Sequence, residues 1–220
     1  MDESGHVRFK DVWYRYPKGE KVLEGVDVTL RTGERLGLIG HIGCGKTTLL
    51  HLIVGLICPD RGSIEVFGRP RSEEKDFWEV RERVGLVFQD PDDQLFCPTV
   101  REDIAFGPLN LGRTREETDG LIQEALADVG LKGFEDRITH HLSGGEKRLV
   151  SLATVLAMKP AVLLLDEPAN DLDTESAERI RNLLLRLPQS MIVVSHDRGL
   201  LEAVTTRIVK LENGRIKEVK

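Results

Sequence analysis

The stretch Gly40-His41-Ile42-Gly43-Cys44-Gly45-Lys46-Thr47-Thr48 constrains this chain more than any other, because its chemistry works where a strand hands over to a helix. Leu36, Leu38 and Ile39 before it read as a buried strand, and Thr47 to Leu56 reads as a helix. Gly40, Gly43 and Gly45 can take positive φ and let the backbone wrap an anion with successive N–H groups pointing inward. A helix N-terminus adds positive character at the same place. Lys46 then reaches the β- and γ-phosphates of a nucleotide as a compact charge, and the Thr47 hydroxyl completes the coordination of Mg²⁺.

With 220 residues the chain can bury a core of its own, as one domain or two small ones. Lys+Arg 31 against Asp+Glu 37 gives a net charge of -6, which argues against a protein that coats nucleic acid and needs a basic surface. Cys44, Cys58 and Cys97 are odd in number and lack C-x-x-C spacing, so neither a disulfide framework nor a zinc site is expected, and a reducing, cytoplasmic compartment fits. The most hydrophobic segments, Leu149 to Met158 and Val162 to Leu165, fall far short of the ~18 residues needed to cross a bilayer. If a membrane matters, a partner must supply it.

Taken in order, Val7 to Tyr16 and Val22 to Leu30 read as two antiparallel strands separated by a Pro17-Lys18-Gly19 turn. A turn at Pro59–Ser63 and a strand at Ile64–Phe67 follow the first helix. Val84 to Phe88 reads as an interior strand with Gln89 at its carboxyl end, and residues 90–113 as loop and short helix. Thr114-x-x-Glu117 is a capping box that opens a helix bearing Leu121, Ile122, Ala125, Leu126 and Val129 on one face. Another helix begins at Ser143 and stops at Lys159-Pro160. Val162 to Leu165 is an apolar strand ending in Asp166-Glu167-Pro168, Asp173 caps a helix, and Met191 to Val194 ends in Ser195-His196-Asp197. Strands alternating with helices imply a parallel sheet carrying its functional groups at the carboxyl ends. Ile208–Leu211 and Ile216–Val219 close the chain as a hairpin about Asn213-Gly214.

Asp166, at the end of a buried strand, is the expected second anchor of Mg²⁺, and Glu167 lies where a carboxylate orients and activates an attacking water. Ser143-Gly144-Gly145 at a helix N-terminus is an anion site in its own right. With these residues in view, the chain resembles an ATP-binding-cassette ATPase along nearly its whole length. Gly40–Thr48 matches the Walker A loop, Gln89 the Q-loop, Leu142–Glu146 the signature, Val162–Glu167 Walker B, Ala169–Asp173 the D-loop and His196 the switch histidine.

The resemblance implies an α/β fold: a phosphate-loop core with a parallel sheet, an N-terminal antiparallel β subdomain and a helical insert. It makes residues 1–220 one domain, with 1–89 and 159–220 as core and about 90–158 as helical subdomain. It implies ATP and Mg²⁺ as ligands and two cassettes, a homodimer in preference to a heterodimer, sandwiching two ATP molecules head to tail. Ser143, Gly144 and Gly145 of one subunit then face the γ-phosphate held by Lys46 of the other, and Glu146 counts with them among the nucleotide-binding residues. His196 contacts that phosphate, Gln89 senses Mg²⁺ and water, Asp173 links the two sites, and Tyr16 stacks on adenine.

Residues 88–108, through Phe88-Gln89-Asp90-Pro91-Asp92-Asp93-Gln94-Leu95-Phe96 and Asp103–Pro108, are similar to the ATPases of energy-coupling-factor importers, above all those for cobalt or nickel ions and less closely those for vitamins. That resemblance implies the motor of an importer, peripheral at the cytoplasmic face, with integral-membrane subunits and no nucleic acid as partners. Leu95, Phe96, Val100 and Phe106 are the expected apolar contacts for a coupling helix of the membrane subunit. His41, Ile42 and Cys44 depart from the family's commoner Pro, Asn and Ser, Glu146 from its Gln, and Ala169-Asn170-Asp171 from a Thr-Ala-Gly-like run. A soluble ATPase of the same superfamily is the competing class, disfavoured because neither a coiled-coil insertion nor a second cassette is present. The sequence ends at Lys220 just after its last strand pair, so no added regulatory domain is expected.

Overall fold

In β3 (Arg35–Ile39), β7 (Val162–Asp166) and β8 (Ser190–Val194), neighbouring side chains enter opposite cores, as the two-residue period of a strand requires. Leu163, Leu165, Met191 and Val193 join one apolar cluster, while Leu36, Leu38, Val162, Leu164, Ile192 and Val194 join the other. All ten residues of β7 and β8 are buried, which is why these runs are apolar without interruption. The computed structural model describes residues 5–17, 19 and 21–219. Lys18 of the expected turn lies outside them, although the Gly19 N–H reaches the Tyr16 carbonyl at 3.0 Å.

With β6 (Val84–Val87), β9 (Arg207–Glu212) and β10 (Arg215–Glu218), these strands form a six-stranded sheet in the order β10-β9-β3-β8-β7-β6. All pairs are parallel except β9–β10, a hairpin whose Asn213 and Gly214 take φ of 50° and 71°, the two positive values that a type I′ turn needs. One face is covered by α3 (Val100–Asn110), α4 (Arg115–Asp128), α5 (Gly144–Leu156), α6 (Thr174–Arg186) and α7 (Arg198–Val204). The other carries α1 (Lys46–Ile53), α2 (Asp76–Arg83) and an antiparallel sheet. That sheet comprises β1 (Gly5–Arg15), β2 (Lys21–Arg31), β4 (Arg61–Val66) and β5 (Arg69–Arg71), in the order β2-β1-β4-β5. Among the described residues no helix is long and apolar enough to cross a membrane.

The structure departs from the sequence expectation at several elements. The first helix ends at Ile53 rather than Leu56, because Gly55 turns the chain at φ 69° and a Cβ there would sit 2.2 Å from the Phe77 ring. Helix α2 is an addition: it buries only Phe77 and Val80, too few apolar residues to show a period. Residues 90–113, expected as loop and short helix, contain the eleven-residue α3. A capping box between Thr99 and Glu102 starts it, and it runs on through Pro108 despite the lost N–H. Helix α7, started by Asp197, was also unmarked by its seven residues.

The topology brings four sequence-distant loops to one rim. Strands β6, β7, β8 and β3 are consecutive neighbours, so Gln89, Asp166–Glu167, His196 and Gly40–Thr48 all leave the carboxyl end of the same sheet. Val194 is in register with both Leu38 and Asp166, which puts the Asp166 carboxylate level with the start of the glycine loop.

Candidate functional site

The glycine loop is shaped by two different demands. Gly43 and Gly45 have φ of 77° and 106°, and Gly45 forms the N-cap of α1 in the left-handed region. Gly40, expected to use positive φ as well, does not. It is glycine for space, since a Cβ would lie 2.5 Å from Cys44 Sγ and 2.6 Å from the Leu211 carbonyl oxygen. A Cβ on Gly43 would meet nothing within 4 Å, so this turn borders open room. Lys46 Nζ donates to the carbonyls of Gly40 and His41 at 3.0 and 3.1 Å, closing the loop into a ring. Ile42 at the tip is 97% exposed, whereas Cys44 is buried and its thiol pKa is raised chiefly by that burial.

Thr47 and Asp166, 119 residues apart, meet directly: the Thr47 hydroxyl donates to Asp166 Oδ2 at 2.6 Å. Burial pushes the Asp166 carboxyl above its ordinary value; the Thr47 hydrogen bond opposes this, and the neighbouring Glu167 charge adds to it. Glu167 turns sharply out of β7 at φ 47°, held by its N–H to the Val194 carbonyl at 2.9 Å. A left-handed non-glycine residue here stores roughly 1–3 kcal/mol that the surrounding hydrogen bonds must offset. Its Oε2 accepts from the His196 backbone N–H at 3.2 Å and lies 2.9 Å from His196 Nδ1, while the imidazole itself is largely exposed. A cleft of about 410 Å³ is bordered by Tyr16, Ile42, Lys46, Thr47, Gln89 and Glu167, and a second of about 490 Å³ by Gln89, Gly144, Arg148 and Asp171. Both clefts share Thr47, Gln89 and Asp166, so they meet at the three residues expected to serve the metal.

The donor set suits Mg²⁺. It is all oxygen, with one hydroxyl and one carboxylate, leaving the remaining positions for phosphate oxygens and water, the usual arrangement for this small, reluctantly dehydrated ion. Tyr16 stands at the edge of the cradle, 41% exposed, with its hydroxyl 3.1 Å from Thr48 Oγ1 and its ring edge-on to Tyr14.

Ser143 caps α5 through a capping box: its hydroxyl accepts from the Glu146 N–H at 3.3 Å, and Glu146 Oε2 accepts from the Ser143 N–H at 2.8 Å. Glutamate serves this box as glutamine would, so the departure at Glu146 leaves the local geometry whole; the Ser143 N–H also holds its pKa low. A Cβ on Gly145 would lie 2.4 Å from Ser176 Oγ, whereas Gly144 borders open space. Among the described residues no hydrogen bond joins Ser143–Glu146 to the 40–48 loop of the same chain. Asp173 caps α6, accepting from the N–H and hydroxyl of Ser176 at 2.9 and 2.7 Å.

Two residues enter that the sequence reading passed over. His51 borders the second cleft edge-on to Phe88, its pKa lowered by burial. Arg148, 4% exposed, donates to the carbonyls of Phe88 and Gln89. The available signal was a charge one residue before the apolar Leu149, on a helix otherwise patterned for burial. Of the four apolar residues expected to contact a coupling helix, Leu95 and Val100 prove to be core, 7% and 0% exposed. Phe96 and Phe106 are exposed and stack edge to face at 5.0 Å. Asp103 explains the split: its Oδ1 accepts from the Phe96 and Cys97 N–H groups at 3.0 and 2.9 Å, turning the chain between Leu95 and Phe96.

A glycine loop closed by its own lysine beside a strand-end carboxylate, on a parallel sheet, is the construction of the phosphate-loop nucleoside triphosphatases. Comparison with known proteins narrows this: residues 23–170 match the family described as ABC transporter, and the chain belongs to that family as one of its ATPases. An ABC transporter ATP-binding protein of Brucella suis is 54% identical over 90% of this chain and 82% of its own length. The energy-coupling factor transporter ATP-binding protein EcfA of Methanocaldococcus jannaschii is 44% identical over 96% of this chain and 77% of its own. CbiO1 of Clostridium perfringens, part of the ABC transporter complex CbiONQ, superposes with a TM-score of 0.88 at 32% identity, covering 98% of this chain and 88% of that one. A dimeric cassette, MJ0796, in a post-hydrolysis state with ADP and Pi, superposes with a TM-score of 0.87 at 26% identity, covering 97% and 99%.

Proposed function

We propose that this ATPase is the motor subunit of a membrane importer of the energy-coupling-factor type, bound peripherally at the cytoplasmic face of the membrane beneath integral-membrane subunits. The observation that carries the transport reading is the exposed pair of Phe96, on the loop after Gln89, and Phe106, on α3. Two apolar rings displayed together in solvent give a membrane subunit a handle. EcfA and CbiO1 among the similar proteins support the same reading. Within that type we assign cobalt or nickel ions as the solute, on the resemblance of residues 88–108 and on the likeness to CbiO1.

In this reading residues 1–220 are a single cassette, 90–158 being its helical subdomain. ATP lies on the 40–48 loop, its adenine against Tyr16, with Lys46 leaving the Gly40 and His41 carbonyls for the phosphates. Thr47, Asp166 and Gln89 would hold Mg²⁺, which neutralises charge on the β- and γ-oxygens when bound. Glu167 accepts the proton of the attacking water, and His196 holds the carboxylate until the γ-phosphate takes over its imidazole. Exposed Ser143 and Gly144, unattached to their own loop, serve a second copy of the chain, and Asp173 passes between the two sites. The likeness to a dimeric cassette supports this pairing.

Full-length tagged chain, recovered from detergent-solubilised native membranes, should bring integral-membrane proteins with it. Cells carrying Glu167→Gln should lose cobalt or nickel uptake. Recovery with ribosomal or DNA-bound proteins instead would overturn the importer reading, and intact metal uptake with lost vitamin uptake would overturn the solute.

A further inference from the structure

Arg148 is a buried cation that makes no ion pair among the described residues; burial disfavours its charge, and Asp90, Asp171 and Asp166 offset that only from beyond contact distance. Its Nη1 donates to the Phe88 carbonyl at 2.8 Å and its Nη2 to the Gln89 carbonyl at 2.6 Å, while Nε is buried without a partner. A planar fork on two consecutive carbonyls fixes the two peptide planes that flank the Gln89 Cα, which a single-point donor cannot do. Those planes set the direction in which the Gln89 side chain leaves the backbone, at the junction of the two clefts. Arg148 rides on α5, five residues after Ser143. Gln94 and Lys147 also bolt this loop to α5: Gln94 donates to the Ser151 carbonyl and Thr154 hydroxyl at 2.9 and 2.8 Å, and Lys147 reaches Asp92 at 2.6 Å. Neither grips Gln89 itself.

We propose that Arg148 is a positioning residue for Gln89: it fixes that side chain toward Thr47 and Asp166 and ties its aim to the helix that begins at Ser143. When α5 shifts, Gln89 shifts with it. A guanidinium hydrogen-bonded to these carbonyls serves this purpose because its two acceptors belong to the loop that must be aimed, while the charges of Asp90, Asp171 and Asp166 support it from farther off. The inference rests on the proposed role of Gln89 toward Mg²⁺ and water, and the test separates the two.

Full-length Gln89→Ala, Arg148→Met, Arg148→Lys and the double variant Gln89→Ala/Arg148→Met would be compared for melting temperature, affinity for a fluorescent ATP analogue, kcat and half-saturating Mg²⁺. Gln89→Ala and Arg148→Met should each lower kcat about 10- to 100-fold, the scale of a misplaced catalytic group, and raise half-saturating Mg²⁺ about 10-fold. The melting temperature of Arg148→Met should stay within about 4 °C of the parent, because an apolar side chain replaces a costly buried charge and the released carbonyls belong to the half-buried Phe88 and exposed Gln89, within reach of water. Arg148→Lys should recover part of the loss, and the double variant should be no worse than either single one. Full activity in Gln89→Ala removes the role of Gln89 and the proposal with it. A damaged Gln89→Ala beside an Arg148→Met of parental kcat and Mg²⁺ dependence overturns the proposal alone, as does a double variant whose losses multiply. Should Arg148→Met not fold, Arg148→Lys and its double with Gln89→Ala decide by the same comparisons.

Discussion

On the proposed importer function, replacing Phe96 and Phe106 together by Ser should detach this ATPase from the membrane subunits assigned to it while leaving the isolated chain folded and active. The two residues are 65% and 51% exposed, so with about 200 Å² for a phenylalanine they present roughly 230 Å² of apolar surface. Covering all of it would be worth at most about 6 kcal/mol at ~25 cal/mol per Å². Paired interface anchors usually realise only part of such a ceiling, about 2–4 kcal/mol, or roughly 30- to 1,000-fold in Kd. The fold should not feel the change, since neither side chain is buried and both members of the edge-to-face pair are removed together. Leu95 is the internal control: at 7% exposure, Leu95→Ser opens a core hole costing about 2–5 kcal/mol and should lower the melting temperature instead. The assay is recovery of integral-membrane proteins with the tagged variant, beside ATP turnover and thermal melting of the purified chain. Parental recovery with the double variant would refute the coupling surface, and a lowered melting temperature would refute its exposure.

Three further outcomes follow from the site. Lys46→Ala should lose tight MgATP binding and keep the fold, because it removes only two hydrogen bonds to loop carbonyls; calorimetric titration giving the parental affinity would refute the cradle. Glu167→Gln should bind ATP, turn over at least about 100-fold slower and accumulate a nucleotide-bound dimer on size-exclusion chromatography, since the amide cannot accept the proton. Burial raises the Asp166 pKa from 3.8 against the Thr47 hydrogen bond, so the native state binds a proton more readily and stability falls as pH climbs from there to the raised value, staying lower above it. Asp166→Asn, which keeps an acceptor for Thr47, should therefore melt higher than the parent at pH 8 without nucleotide, with the gain shrinking toward pH 4, while Mg²⁺-dependent hydrolysis is lost. A lower melting temperature at pH 8 would contradict the burial argument.

What the sequence determined by itself were features whose cause is local. The glycine loop, the Thr114–Glu117 box, the Ser143 and Asp173 caps, the Asn213-Gly214 hairpin and the unbroken apolar runs at 162–165 and 191–194 each state their geometry in a few adjacent residues. The order of the motifs likewise announced a nucleotide-handling parallel sheet. Tertiary structure decided whatever depends on a partner far along the chain. Gly40 is glycine because Leu211 and Cys44 leave no room, not because of its φ. Helix α3 persists through Pro108 because it packs on α5, a contact no local propensity encodes. Leu95 and Phe96 are adjacent and both apolar, yet the Asp103 carboxylate, through two backbone N–H groups, sends one inward and leaves the other in solvent. Arg148 becomes legible only once strand β6 delivers two carbonyls to its guanidinium across 60 and 59 residues of chain, since a lone charge in a helix carries no record of what it will touch.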